Sequence, residues 1–496
     1  MHGIRIHDGL MELRYARIVD VVAGRYLPIG TTVRIEDGRI KDLVAPGEHK
    51  PEPAEVIDLT GLTLIPGLIN THCHATWVAP PVADLRAVPA GYAHYEDQLE
   101  KNMYECLRHG ITTIRDAWCN DLRRRRRLVE RIRRGDIIGP DILGSVVVTQ
   151  PDAYMAHPRS LRFRLVRTMA GLPLVDHRSP QGGEVVFPAD ADARTVRAAV
   201  DLAIDERGAD SIKLAEQRMN LATFKLDLTF MTVPQMQALT DQARRRGVST
   251  TMHHCTLESF RRAVRGGVHS LSHVPLDGEL TDRDLEDTLS AGCSVEPTMS
   301  VAYAAAFPVR GDRWRDHPGM TALTAFRDAT WERITGEFWL PLLRVHVRRY
   351  HARLSRGMVR LHGLVDLSGM VMATTPMVSY GARNLTRLYD AGVPLACSND
   401  GGVPPTTPGM LGIELGLLDL FLNTPERGVT FTGLDGLRMA TSIAARTLGM
   451  EHEIGRIEPG LLADLAVVNG DPLNDVHVLG APVEMVFTRG RLISFT

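Results

Sequence analysis

The sequence predicts an α/β protein in which a (β/α)8 TIM barrel is inserted into a small β-sandwich built by both termini. Three observations lead there. At 496 residues the chain is too long for one small core. Its two ends read as short alternating strands, whereas its middle holds eight apolar runs separated mostly by helical patterns. Residues able to bind metal stand at or near the ends of five of those runs, on the side where such a barrel does its chemistry.

The sandwich comes first. Val33-Arg34-Ile35-Glu36 alternates, and Asp37-Gly38 offers a hairpin turn before Arg39-Ile40. The C-terminal end repeats the pattern with Ala463–Val468, Asn469-Gly470-Asp471-Pro472, and Glu484–Phe487 before an Arg489-Gly490 turn. Residues 1–62 and 456–496 are therefore assigned to the sandwich and 63–455 to the barrel. The eight barrel runs are Leu68–His74, Ile111–Asp116, Ile142–Val148, Ser211–Leu214, Val248–His253, His269–His273, Cys293–Thr298 and Pro394–Asp400. Two connections are long, near 149–210 and 299–393. The second carries Trp314, Trp331, Trp339 and the basic stretch Arg344–Arg349, which predicts a helical lid or inter-subunit wall over a bulky, partly apolar substrate. The run Arg123–Arg127 after the second strand reads as a solvated helix face.

Composition narrows the function. With 57 basic and 59 acidic residues the formal charge is -2, so no whole-chain field favours nucleic acid or an anionic membrane. Hydrophobic content of 44% and charged content of 23% are ordinary for soluble domains. The six cysteines form no CxxC pair and read as reduced thiols. The N-terminus carries no signal-like apolar stretch, and no run reaches a membrane span. The expectation is a cytoplasmic protein with a small-molecule substrate, with homo-oligomerisation left open.

The chemistry concentrates at strand ends. His72 and His74 lie two apart in a strand and point to one face, so they present two imidazoles to one ion. Alone, such a pair is a weak signal, whose ordinary reading is two surface histidines. Lys213, His253, His273 and Asp400 end four further runs, which turns the pair into a constellation. Adjacent strand residues face opposite ways, so His253 and His254 cannot both be ligands. An aspartate before Gly401-Gly402 is ordinarily a turn residue, which is the plain alternative for Asp400. Trp77 and Trp118 follow the first two strands and either wall a pocket or pack in the core. Tyr154 and His157, after the third, either touch substrate or lie on the surface.

These segments resemble the metal-dependent amidohydrolase superfamily from about Leu13 to Leu492. The resemblance rests on Ile65-Pro66-Gly67-Leu68-Ile69-Asn70-Thr71-His72-Cys73-His74, Gly110–Asp116, Ala444–Gly449, Ile454–Gly460 and Ala463-Asp464-Leu465. Gly208-Ala209-Asp210-Ser211-Ile212-Lys213 is similar to the prolidase-like branch. The resemblance implies hydrolysis of an amide or peptide-like C–N bond by a hydroxide shared between two divalent ions, zinc suiting the histidines best. It further implies His72 and His74 on one ion, His253 and His273 on the other, and Lys213 bridging them as N6-carboxylysine formed with carbon dioxide. Asp400 would bind metal and move the proton. The family's sixth strand ends Ser-Ile-Glu-His; here Ser270-Leu271-Ser272-His273 supplies the ending, and counting back about 20 residues selects His253. Ser398-Asn399-Asp400 departs from the family's Gly-Thr-Asp. A mononuclear deaminase or cyclic-amide hydrolase is the alternative, although the deaminase pattern's glutamate three residues after the strand-five histidine is Thr256 here. A barrel that has kept its fold and lost its chemistry is the third reading, and intact ligands argue against it.

Overall fold

The computed structural model describes residues 3–5, 9–48, 50, 53, 55–76, 99–119, 121–151, 179–216, 230–300, 375–402 and 406–495. Trp77, Tyr154, His157, Trp314, Trp331, Trp339 and Arg344–Arg349 lie outside these residues.

Both chain ends build the sandwich. One sheet has seven strands in the order Gly3–Arg5, Arg491–Ser494, Met485–Thr488, Leu465–Val468, Thr63–Pro66, Arg17–Asp20, Arg25–Tyr26. The other has four, in the order Arg39–Val44, Thr32–Glu36, Met11–Arg14, Glu55–Asp58. Alternation puts Leu13, Val33, Ile35, Leu64, Leu465, Val467 and Phe487 into one buried cluster shared by the two termini. Both foreseen hairpin turns form, because Asp37 and Gly38, like Arg489 and Gly490, take the two positive φ angles of a type I′ turn.

The chain leaves the sandwich at Gly67, whose neighbour Pro66 pairs in one sheet while Leu68 pairs in the other. A Cβ there would overlap the Thr112 side chain, so glycine is what lets the two sheets meet. Seven parallel strands follow: Leu68–Cys73, Ile111–Asp116, Asp141–Thr149, Ser211–Ala215, Ser249–His253, Ser270–Ser272 and Ser294–Glu296. A short additional strand, Glu184–Val186, pairs with the third. Helices cover the outside, among them Leu122–Arg134, Ala193–Asp205, Val233–Arg245, Leu257–Arg265, Asp282–Ser290 and Leu411–Leu422. Thr232 and Thr281 open two of them with capping boxes.

Two expectations need correction. The run Pro394–Asp400 is not a regular strand. It touches the seventh strand at Val295↔Leu395 and the first at Cys73↔Gly401, one bridge on each edge. Pro394 has no N–H to give a ladder, and Asp400 has a φ of 50°, so neither end of the run continues a regular ladder. Asp400 N–H still donates to the His72 carbonyl at 2.9 Å, and Ala396 N–H to Val295 at 2.8 Å, so this segment closes the barrel. The arginine run is also not a uniformly solvated face. Arg124 and Arg125 are buried, and Arg125 donates to the Gly208 carbonyl at 3.0 Å, while Arg123, Arg126 and Arg127 are exposed.

Candidate metal centre

The barrel's carboxyl end gathers the histidines that the sequence singles out. His72 sits in the first strand and His74 just past it, their ring centroids 5.7 Å apart. Cys73 between them points the other way and is fully buried, its Sγ 3.5 Å from the Arg115 carbonyl. Asp400 comes in on the closing segment, with Oδ1 3.2 Å from His72 Nε2 and 3.1 Å from His74 Nε2. His74 N–H donates to Gly401 at 2.6 Å, which pins this corner.

The second pair stands beside the first. His273 Nε2 lies 2.8 Å from His253 Nδ1, and the His273 ring centroid is 5.4 Å from that of His72. His254 turns to the opposite side, edge-on to Phe260. His273 Nδ1 is 2.5 Å from Thr298 Oγ1, which itself donates to the Pro297 carbonyl at 2.8 Å. Thr298 therefore accepts from His273 Nδ1–H and leaves Nε2 with its lone pair facing the cluster. His273, Thr298 and Asp400 all have left-handed φ angles, of 75°, 50° and 50°, at neighbouring strand ends. Such non-glycine strain is held only where surroundings over-determine it, and it gathers at functional sites.

Lys213 rises from the fourth strand into the barrel floor and donates from Nζ to Ser272 Oγ at 2.9 Å. Burial pushes its ammonium down to about 7, although Glu296 and Asp400 pull the other way. Burial, and then the charge of Lys213, lowers His253 well below the usual histidine range. Burial and then His253 do the same to His273. Both rings are thus held neutral, the form that ligates metal. Burial opposes ionisation of Asp400, but His72 and His74 outweigh it and hold the carboxyl well below its ordinary value.

One residue was missed by sequence reasoning. Glu296 ends the seventh strand, is fully buried, and accepts from Arg115, from His72 Nδ1 at 3.2 Å and from Ser272 Oγ at 3.2 Å. Burial would raise its pKa, but Arg115, His72 and Lys213 together keep it below the carboxylate range. A glutamate within a foreseen barrel strand was the available signal. Trp118, foreseen as a pocket wall or a core residue, is 3% exposed. Thr256 caps the helix Leu257–Arg265 by accepting from Ser259 N–H at 3.1 Å.

The donor inventory fits a divalent ion. Glu296 can only accept, so His72 Nδ1 carries the proton between them. His72 Nε2 and His74 Nε2 both approach Asp400 Oδ1, at 3.2 and 3.1 Å. Two imidazoles and a carboxylate are ordinary ligands of a divalent metal. Among the described residues, His72, His74 and Asp400 form a group whose ligand atoms all lie within 4.8 Å of one another.

Comparison with known proteins agrees with this fold. Residues 63–493 match the amidohydrolase family. The chain belongs to that family. A 5-methylthioadenosine/S-adenosylhomocysteine deaminase of Symbiobacterium thermophilum is 31% identical over 125 residues, 23% of this chain and 29% of that protein. An imidazolonepropionase of Geobacillus thermodenitrificans is 33% identical over 116 residues, 23% of this chain and 25% of that protein. The chain thus matches less than a third of the length of either curated relative. Among solved structures, a Xaa-Pro dipeptidase with methionine bound in its active site superposes with a TM-score of 0.67 at 19% identity, covering 98% of this chain and 100% of that one. The ochratoxinase of A. niger gives 0.66 at 18%, with 98% and 96% covered. These likenesses establish a shared fold.

Proposed function

We propose that this protein is a metal-dependent hydrolase that cleaves an amide or peptide-like C–N bond in a small molecule. The observation that carries the reading is the convergence of His72, His74 and Asp400 on one point, with His253 and His273 beside it, inside an amidohydrolase-family barrel. His72, His74 and Asp400 would hold one ion, His253 and His273 a second, and zinc suits so many imidazoles best. Bound ions supply Lewis acidity and lower the pKa of water toward neutrality. Asp400 would accept the proton of the attacking water and return it to the departing nitrogen, a task for a carboxylate kept ionised by its two histidine neighbours. Lys213, pushed down to about 7 by burial, has a large neutral fraction near neutral pH. That is the form which adds carbon dioxide, so N6-carboxylysine bridging the ions belongs to this reading. The solved structure of similar fold named above as a Xaa-Pro dipeptidase suggests an amide carrying an amino-acid moiety.

A mononuclear deaminase or cyclic-amide hydrolase is the second reading. It is favoured by the names of the two curated relatives, and by the Lys213–Ser272 hydrogen bond beside Glu296, which suits a lysine kept as an ammonium. Metal analysis separates the two. The binuclear reading expects close to two divalent ions per chain and a loss of one with most activity in Lys213→Ala. One ion per chain in a fully active preparation, with its rate kept in Lys213→Ala, would sink it.

A further inference from the structure

We propose that Glu296 is a positioning residue which fixes the tautomer of His72 and thereby turns His72 Nε2 toward the ion. This inference rests on the metal-dependent reading above. Glu296 stands in register opposite Ser272 on the neighbouring strand, so its side chain enters the barrel floor beneath the histidines. Arg115, also fully buried, holds one of its oxygens. The other oxygen is left for His72 Nδ1 and Ser272 Oγ, both at 3.2 Å. With no proton of its own, this carboxylate accepts only from the Nδ1–H form of His72. The same oxygen reaches Lys213 through Ser272, whose Oγ also lies 3.1 Å from Thr251 Oγ1. One carboxylate therefore ties the first-strand histidine to the fourth-strand lysine across the floor. Metal-bound histidines generally need such a partner on the second ring nitrogen. Ser272 occupies the position where the Ser-Ile-Glu-His ending carries its glutamate, and the carboxylate here arrives from the next strand instead.

Glu296→Gln is the direct test. Arg115 draws the amide oxygen to itself, so the amide NH2 faces His72 Nδ1 and favours the Nε2–H tautomer, which has no lone pair for metal. The expected result is a 10- to 100-fold weaker affinity for Zn2+, measured by chelator competition. In the metal-free protein, 15N-labelled histidine should show His72 Nδ1 protonated in the wild type and unprotonated in Glu296→Gln. Circular dichroism and thermal melting establish that each variant is folded. Because Gln leaves Arg115 buried without a counter-charge, Glu296→Asp is the companion variant: it keeps the charge but falls one methylene short of His72. For this variant too the expected result is weaker Zn2+ binding. A folded Glu296→Gln or Glu296→Asp protein with wild-type Zn2+ affinity and an unchanged His72 tautomer overturns the proposal. If the wild-type chain itself takes up no divalent ion, the metal-dependent reading fails, and the tautomer measurement alone decides the role of Glu296.

Discussion

Asp400 shows how much a single residue decides here. Its carboxylate faces two histidines, its backbone holds the first strand, and its φ of 50° is a conformation that Asn also adopts readily. Asp400→Asn should therefore fold, keep most of its metal, and lose 10²- to 10⁴-fold in kcat, the usual share of a proton-transfer group. A variant with wild-type kcat would remove Asp400 from the chemistry. At this scale the sequence was informative where spacing is geometric. The period of two singled out His72 and His74, and the 20-residue interval pointed to His253, which does face His273 while His254 turns away to Phe260. Glu296 escaped because its significance lies in a register with Ser272 and an encounter with Arg115, 181 residues away in sequence.

At the level of elements, the helix Leu122–Arg134 illustrates what composition conceals. Five consecutive arginines look alike in sequence, yet helical rotation buries two of them. Arg125 passes directly over Gly144 in the third strand, where a Cβ would overlap its guanidinium. Gly144→Ala should cost about 2–4 kcal/mol, as overpacking with displacement of a buried charge does. In an Arg125→Ala background the same change should cost under about 1 kcal/mol, because the obstructing group is gone. Equal costs in both backgrounds, measured by urea unfolding, would contradict the packing described. Seven of the eight foreseen barrel strands form, and their starts and ends shift by no more than two residues. The eighth failed as a strand for a local reason: apolar content signals burial, while ladder pairing also needs N–H groups and extended φ angles that Pro394 and Asp400 do not provide.

For the whole molecule, insertion of a barrel into a sandwich was legible because both ends alternate with period two and the middle does not. The joint between the two parts could not be read that way. It turns on Asp464, whose carbonyl accepts from Gly67 at 2.8 Å and whose carboxylate accepts from Arg489 N–H at 2.6 Å, while Arg489 pairs with Asp141 of the barrel at 2.7 Å. Burial, and then Asp141, pushes the Asp464 carboxyl up to about 7. The folded state thus keeps a proton that the unfolded chain releases near pH 4, so stability falls as pH rises from about 4 to 7 and is level above. The fall is on the order of 3 to 4 kcal/mol. Asp464→Asn should abolish this slope, and denaturation midpoints of the two proteins across that range check it. A constant gap between them would contradict the burial argument.

The central claim is that ions held by the strand-end histidines and Asp400 make this barrel a hydrolase of amides. Its most direct test is to strip the protein with chelator and titrate Zn2+ back while assaying a panel of dipeptides, N-acyl amino acids and lactams. Turnover should be absent in the stripped protein, return with added ion, and saturate near two equivalents per chain. Turnover that persists without metal, or a fully metal-loaded protein inert toward every amide in the panel, would contradict the account.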